Sequence, residues 1–71
     1  MKEIAIYTEY ITLSQFLKLA SLIQTGGEAK NYLANHKVLI NDVEDSRRGR
    51  KLRKDDIIEI SNQKYLIVNE S

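Results

Sequence analysis

The sequence has no cysteine among its 71 residues, so disulfide bonds and metal sites built on thiolates are both excluded. It has no proline and no apolar run near the roughly twenty residues that span a bilayer, and Met1-Lys2-Glu3 does not open a signal peptide. With 42% hydrophobic and 30% charged residues, the composition is that of a globular protein. We therefore expect one domain over residues 1–71, cytoplasmic and without a membrane partner.

Catalytic and metal-binding residue sets are also missing. The single histidine, His36, stands alone where a predicted helix ends, and neither a G-x-S-x-G nucleophile motif nor a G-x-x-x-x-G-K-[ST] phosphate-binding motif occurs. The segment from Asp42 to Asp45 is similar to the start of a calcium-binding loop, but Arg47 stands where such a loop needs its glycine. We expect no enzyme activity, no metal or other cofactor, and no small-molecule substrate.

Positive charge is concentrated in the middle of the chain. Residues 14–54 carry nine lysines and arginines against four acidic residues, whereas residues 55–71 carry one lysine against four acidic residues. Six of the nine crowd around Gly49, namely Arg47, Arg48, Arg50, Lys51, Arg53 and Lys54. Side chains of like charge repel one another at this spacing, which favours a loop that binds a polyanion. The alternative is a solvated hairpin whose charge is balanced by Glu44, Asp45, Asp55 and Asp56.

The apolar pattern predicts a strand and two helices in the first half. Residues 2–7 alternate like a strand, and Thr12 with Gln15 has the spacing of a helix capping box. The first helix then carries an apolar stripe of Leu13, Phe16, Leu17 and Ala20. A second helix is expected from about Gly27 to Asn35, after a similar cap formed by Thr25 and Glu28.

The second half is predicted to be strands. Asn41-Asp42 stands where a tight hairpin turn is expected, and two further strands are predicted over residues 56–60 and 65–68. The order predicts an α+β fold in which two helices pack on one face of a small, mostly antiparallel sheet. Gly26 and Gly27 suit a tight turn before the second helix, whose free backbone N–H groups together with Lys30 suit a phosphate.

From Thr12 to Ile60 the order of residues resembles the S4-like RNA-binding domain, or αL motif. The first helix of the family opens with a leucine and an apolar pair, and this chain has both. The second helix opens with a hydroxyl residue and carries an alanine followed by a basic residue, which are present here too. The family's V-x-V-N-G turn and its G-D-x-I-x-V ending are matched as well. The matching residues are Leu13, Phe16-Leu17, Thr25, Ala29-Lys30, Val38-Leu39-Ile40-Asn41-Asp42 and Asp55-Asp56-Ile57-Ile58-Glu59-Ile60.

Within that family the chain resembles the short stand-alone bacterial S4 proteins of the YaaA type. The patterns that carry this likeness are Thr12-Leu13-x-x-Phe16-Leu17-Lys18, Ile23-Gln24-x-Gly26-Gly27-x-Ala29-Lys30 and Arg47-Arg48-Gly49-Arg50-Lys51-Leu52. Three of the family's glycines are replaced by His36, Asp42 and Asp55, residue types that tolerate positive φ, so the backbone path is expected to survive. The family's helix-start arginines are Thr12 and Gly26 here, which shifts the expected basic contacts elsewhere.

The resemblance implies non-catalytic binding of structured RNA, either rRNA or tRNA, with the ribosome as a candidate partner. Aromatic residues are scarce, with one Phe and four Tyr, which favours recognition of shape and phosphate over base stacking. The expected contact residues are Lys18, Gly26, Gly27, Lys30, Arg47, Arg48, Arg50 and Lys51, while Gly49 lets an RNA backbone come close. Two other functions stay open. One is a protein-interaction module that uses the acidic C-terminal part or a bare sheet edge, and the less favoured one is a duplex DNA binder.

Overall fold

Two strands, two helices and then five strands follow one another along the chain in the computed structural model, which describes residues 1–71. The elements are β1 (Lys2–Ile6), β2 (Ile11–Thr12), α1 (Leu13–Leu19), a 3₁₀ turn (Gly26–Glu28), α2 (Ala29–Asn35), β3 (Val38–Ile40), β4 (Val43–Glu44), β5 (Lys51–Leu52), β6 (Ile57–Ile60) and β7 (Gln63–Asn69). The predicted α+β class is therefore confirmed. Neither helix is long and apolar enough to cross a membrane.

The main sheet has five strands in the order β1-β7-β6-β3-β4. Its three antiparallel pairs join β7, β6, β3 and β4, whereas β1 lies parallel to β7 with Ile4 opposite Ile67. The two ends of the chain are thus joined in one sheet, and this pairing could not be named from the sequence. The strands β2 and β5 form a separate antiparallel ribbon, with Ile11 opposite Leu52 and Thr12 opposite Lys51.

Fifteen buried residues, all apolar except for the hydroxyl of Tyr65, form one core between the helices and one face of the main sheet. The predicted stripe of α1 supplies Leu13, Phe16 and Leu17, each fully buried. The ring of Phe16 meets that of Tyr65 on β7 edge to face, with centroids 5.2 Å apart. This geometry is favourable for aromatic quadrupoles, and it holds α1 against β7.

The opposite face of the main sheet has no helix on it. Leu39, Ile57, Leu66 and Val68 are half-exposed there, and none of them packs against the core. Strand alternation explains the division, because their sequence neighbours Ile40, Ile58, Tyr65 and Ile67 are buried. Helices therefore cover one face only, as predicted.

Both predicted caps are present, but only the first directly precedes an α-helix, whereas the second, Thr25, precedes a 3₁₀ turn. The Gln15 N–H donates to Thr12 Oγ1 at 3.2 Å and the Thr12 N–H donates to Gln15 Oε1 at 2.8 Å, so the capping box is confirmed. Glu28 Oε1 accepts from the Thr25 N–H at 3.0 Å, but residues 26–28 form a 3₁₀ turn and α2 begins at Ala29. The helix therefore starts two residues after the predicted start at about Gly27, and it ends at Asn35 as predicted.

The tight turns depend on short polar side chains with positive φ. Asn41 and Asp42, at 51° and 69°, close the predicted hairpin between β3 and β4, and Asp55 is at 75°. Asp42 and Asp55, which replace glycines of the family, therefore have the positive φ that was expected. His36, which replaces the third glycine, does not, because its φ is −135°. Its ring stacks on Tyr32 at 3.9 Å, and its Nδ1 lies 2.9 Å from the Tyr32 carbonyl, so the side chain itself caps the helix.

The glycines before α2 do not serve the conformational purpose expected of them. No glycine of the chain has positive φ, and a Cβ added at Gly26 would meet nothing within 4 Å. The turn between the helices instead uses Ser21, whose φ is 60°. The tight-turn role expected of Gly26 and Gly27 is therefore not required by the backbone.

Replacing Thr12 with alanine should lower the free energy of unfolding by about 1 kcal/mol, because the α1 N-terminus loses its side-chain acceptor. Thr12→Ser is the matched control, since serine keeps the hydroxyl and should retain most of the stability. Urea denaturation followed by circular dichroism measures both variants. Equal unfolding free energies for Thr12→Ala and the unchanged protein would contradict the capping assignment.

Candidate nucleic-acid interface

The basic loop, defined as residues 45–51, is attached by its backbone to the start of α1. The Leu13 N–H donates to the Arg50 carbonyl at 2.8 Å, and the Ser14 N–H donates to the Arg48 carbonyl at 3.0 Å. These N–H groups belong to the first turn of α1, where a helix has no internal acceptor for them. The carbonyl groups of the loop therefore accept the free N–H groups at the start of α1, and the same two hydrogen bonds fix the path of the loop backbone.

Asp45 holds the loop from the inside. Its carboxylate accepts from the Arg47 backbone N–H at 2.9 Å and from Arg47 Nε and Nη2 at 3.1 and 2.8 Å, and Arg50 Nε lies 3.4 Å away. The Asp45 side chain is only 13% exposed, whereas that of Arg47 is 74% exposed. The hydrogen bond from Arg47 lowers the pKa of the Asp45 carboxyl from 3.8 to about 2.

A groove of about 700 Å³ lies between the loop, the start of α1 and α2. Only two of its ten lining residues are hydrophobic, and the lining comprises Thr12, Ser14, Gly26, Lys30, Leu33, Ala34, Ser46, Arg47, Arg48 and Gly49. Neither Lys30 nor Arg48 takes part in any of the three ion pairs of the protein. A Cβ at Gly49 would meet nothing within 4 Å, so the backbone there is open to a ligand. The groove thus offers free cations, hydroxyl groups and open backbone together.

Four of the eight residues expected at the site line this groove: Gly26, Lys30, Arg47 and Arg48. The other four lie elsewhere. Lys18 borders a neighbouring depression with Gln15 and Leu19, and Gly27 borders another beside α2. Arg50 is half-buried, with its guanidinium on Asp45 and on the Lys51 carbonyl, while Lys51 Nζ lies 4.7 Å from the ring centre of Tyr10. Half of the residues expected to contact RNA therefore line the groove, and the other half lie outside it.

The N-terminus of the second helix, expected to suit a phosphate, carries a carboxylate. Glu28 Oε1 accepts from the backbone N–H groups of Gln24 and Thr25, at 3.2 and 3.0 Å. A phosphate at this helix end would face that like charge and find part of the local donors already used. The attraction for an anion therefore comes from the side chains of Lys30 and the loop.

In the alternative interpretation of the loop, four acidic neighbours neutralise its positive charge. Only one of these four residues, Asp45, forms an ion pair with a cation of the loop. Asp45 pairs with Arg47 and Arg50, but Glu44 and Asp55 form no ion pair. Asp56 instead accepts from the Arg53 backbone N–H at 2.8 Å and from the Asn41 amide at 3.0 Å. The loop therefore keeps uncompensated positive charge at Arg48.

Three hydroxyl residues of the groove, Thr12, Ser14 and Ser46, were not among the residues expected at the site. Hydroxyl groups donate readily to phosphate oxygens. Ser14 adjoins a capping residue and Ser46 adjoins the arginines, but only the loop-to-helix contact brings them to one place. The position of Ser46 beside Arg47 was the one signal available for this group.

The stability of the protein should depend on pH through Asp45. Because the pKa is lowered by folding, the stabilisation is complete above about pH 4 and is lost as pH falls through about 2. The unfolding free energy should therefore fall more steeply from pH 4 to pH 2 for the unchanged protein than for Asp45→Asn, which cannot titrate there. Parallel slopes in denaturation at the two pH values would contradict the Asp45–Arg47 contact.

Comparison with known proteins agrees with the architecture. The family model described as S4 domain matches residues 4–68, which extends the likeness seen from Thr12 to Ile60 to both flanking strands. The probable ribosome maturation protein RlbA of Bacillus subtilis (strain 168) is 61% identical over 57 residues, which cover 80% of this chain and 80% of that protein. No solved structure matches the chain. A family match over nearly the whole chain, together with this fold and this relative, confirms the predicted resemblance: the chain belongs to the S4 domain family.

Proposed function

We propose that this protein binds structured RNA, rRNA or tRNA, in the groove between the basic loop and the two helices, and that it catalyses no reaction. The observation that carries the proposal is that Lys30 of α2 and Arg48 of the loop line one open groove without a carboxylate partner. Two free cations on separate elements, with hydroxyl residues lining the same groove, match the spaced phosphates of a folded polyanion.

The character of the groove favours a macromolecular anion over a small molecule. Only two of its ten lining residues are hydrophobic, whereas small-molecule sites are mostly apolar and enclose their ligand. Arg47 also contributes, because its side chain is 74% exposed although it contacts Asp45. That contact occupies Nε and Nη2 and fixes the orientation of the guanidinium, while Nη1 stays open to a phosphate.

Folded RNA is favoured over duplex DNA for a geometric reason. A DNA-recognition helix must enter the major groove with its N-terminal residues leading, but α2 has seven residues and carries Glu28 at that end. No aromatic ring lines the groove, so contacts within it are to phosphate and shape. Both features support structured RNA as the ligand.

The likeness to RlbA supports the cellular setting. That protein bears the name of a probable ribosome maturation protein and is 61% identical to this chain over 57 residues. We propose on this basis that the present protein acts in the cytoplasm, with the ribosome or its maturing RNA as its larger partner. The experiment below tests the RNA contact itself.

The double variant Lys30→Gln/Arg48→Gln should bind folded RNA roughly tenfold more weakly, because two phosphate contacts are lost. The slope of log affinity against log salt should also become shallower, by about 1.5. Fluorescence anisotropy with folded tRNA and an rRNA hairpin, between about 50 and 200 mM salt, measures both quantities.

Lys2→Gln/Lys64→Gln is the matched control for that experiment, because it removes the same charge from β1 and β7, outside the groove. It should leave the salt slope nearly unchanged. If both double variants lost affinity equally, non-specific attraction would explain binding. If the groove variant kept its affinity and slope, the proposed site would be wrong.

The uncovered face of the main sheet favours a second candidate function, binding of a basic protein surface. Leu39, Ile57, Leu66 and Val68 are half-exposed there. The strand register places Glu3, Glu44 and Glu59 beside them, against two lysines, Lys64 opposite Glu59 and Lys37 in one depression with Leu39 and Glu59. Apolar side chains rimmed by carboxylates complement a partner with apolar residues inside a basic rim. A second copy of this chain would bring like charges together across the same face.

The charge-reversal variant Glu3→Lys/Glu59→Lys should lose this contact, because it turns the acidic rim basic. The probe is nuclease-treated total ribosomal protein, captured on immobilised protein and identified by mass spectrometry. Arg48→Gln is the control and should retain capture. Capture of the same basic proteins by the reversed variant, or of a second copy of the chain, would contradict this candidate.

A further inference from the structure

The ribbon of β2 and β5 has one buried face and one outward face. Ile11 and Leu52 stand opposite each other and are 8% and 0% exposed, so their side chains face the core. Alternation along a strand then places Thr12 and its partner Lys51 on the outward face. One step further along, Tyr10 and Arg53 follow the same alternation onto the outward face, and the contacts between their side chains agree with this.

Two cations approach the Tyr10 ring on that outward face. Lys51 Nζ lies 4.7 Å and Arg53 Cζ lies 5.4 Å from the ring centre, distances typical of cation–π contacts. Arg53 Nη1 also contacts Glu9 Oε1 at 2.9 Å, which orients the guanidinium. The Tyr10 backbone is fixed by the Thr8 hydroxyl, which donates to its carbonyl at 2.7 Å. An aromatic ring and two cations are therefore held together outside the core.

Apart from these two cation–π contacts, Tyr10 has no structural role that requires an aromatic ring. Its side chain is outside the buried core and 38% exposed, and its hydroxyl takes part in no hydrogen bond within the protein. Aromatic rings that serve stability are usually buried, with the polar group paired. The exposed ring instead offers apolar, polarisable surface beside positive charge, which is the chemistry that binds a nucleobase and its phosphate.

The ring also lies in line with the groove. Thr12 lines the groove and pairs with Lys51, and Tyr10 is two residues from Thr12, about 7 Å along an extended strand. On the other side of the ribbon, the chain runs directly from Arg48 in the groove to Lys51 and Arg53. An RNA that leaves the groove along the outward face of the ribbon therefore reaches Tyr10 next.

We propose that Tyr10, Lys51 and Arg53 bind one unpaired nucleotide that flanks the folded RNA in the groove. The base stacks on the Tyr10 ring, and Lys51 and Arg53 move from the ring to the adjoining phosphate. This inference rests on the proposed function and adds a single-stranded contact that the groove itself lacks. Stacking tolerates every base, so the contact selects RNA with a free flanking nucleotide rather than a sequence.

The test uses three RNA probes with the full chain: a blunt hairpin, and the same hairpin extended by three unpaired nucleotides at its 5′ or its 3′ end. The unchanged protein should bind one extended hairpin about tenfold more tightly than the blunt one, as stacking of a single base provides. Tyr10→Ala should lose this preference and keep its affinity for the blunt hairpin. Tyr10→Phe should retain the preference, because the hydroxyl has no partner.

Tyr7→Ala is the matched control, since Tyr7 is 70% exposed and lies outside the ribbon. It should leave the preference unchanged. Lys51→Gln provides a second variant on the ribbon, and should reduce the preference and its dependence on salt. Circular dichroism establishes that every variant is folded.

The outcomes separate this inference from the proposed function. Tight binding of the blunt hairpin with no preference for either extension would overturn the Tyr10 contact and leave the groove assignment intact. A preference that survives Tyr10→Ala would overturn the contact as well. Failure of the unchanged protein to bind any of the three hairpins would overturn both.

Discussion

The site depends on two backbone hydrogen bonds, from the N–H groups of Leu13 and Ser14 to the carbonyls of Arg50 and Arg48. They satisfy donors at the start of α1 that no residue within the helix could satisfy. In the same contact they hold a loop whose like charges would otherwise spread apart. Asp45 adds a carboxylate on the inner side, where it orients Arg47 and Arg50 and leaves Arg48 free. The same contact between the loop and α1 thus caps the helix and holds the arginines of the loop in place.

The core supports this arrangement because every charged group stays outside it. The buried set contains no ionised residue, and the edge-to-face pair of Phe16 and Tyr65 holds α1 against the sheet directly behind the cap. The fully buried Leu13 lies next to Ser14, so the residue that anchors the helix adjoins one that lines the groove. Rigid packing therefore begins one residue from the surface that we propose contacts RNA.

The two surfaces of the molecule differ in chemistry. The groove and the ribbon carry the cations, with Lys30, Arg48, Lys51 and Arg53 on exposed positions. The far face of the sheet carries apolar side chains with a surplus of carboxylates. Because these charges nearly cancel, the formal net charge is only +1, and it conceals a basic side suited to nucleic acid. Separation of charge, rather than its total, is what bears on function.

The sequence by itself determined the local structure. The capping box of Thr12 and Gln15, the hairpin turn at Asn41-Asp42 and the apolar stripe of α1 all depend on residues within a few positions of one another, so their spacing was sufficient. The φ of His36 differs from the expectation, because a contact between its side chain and Tyr32 caps the helix in place of a left-handed residue. Only the tertiary structure decided that β1 pairs with β7, that β5 leaves the main sheet for β2, and that Lys30 and Arg48 share a groove while Lys51 turns to Tyr10. These outcomes follow from contacts between distant parts of the chain, where many pairings satisfy the same local pattern and packing of the whole core selects one.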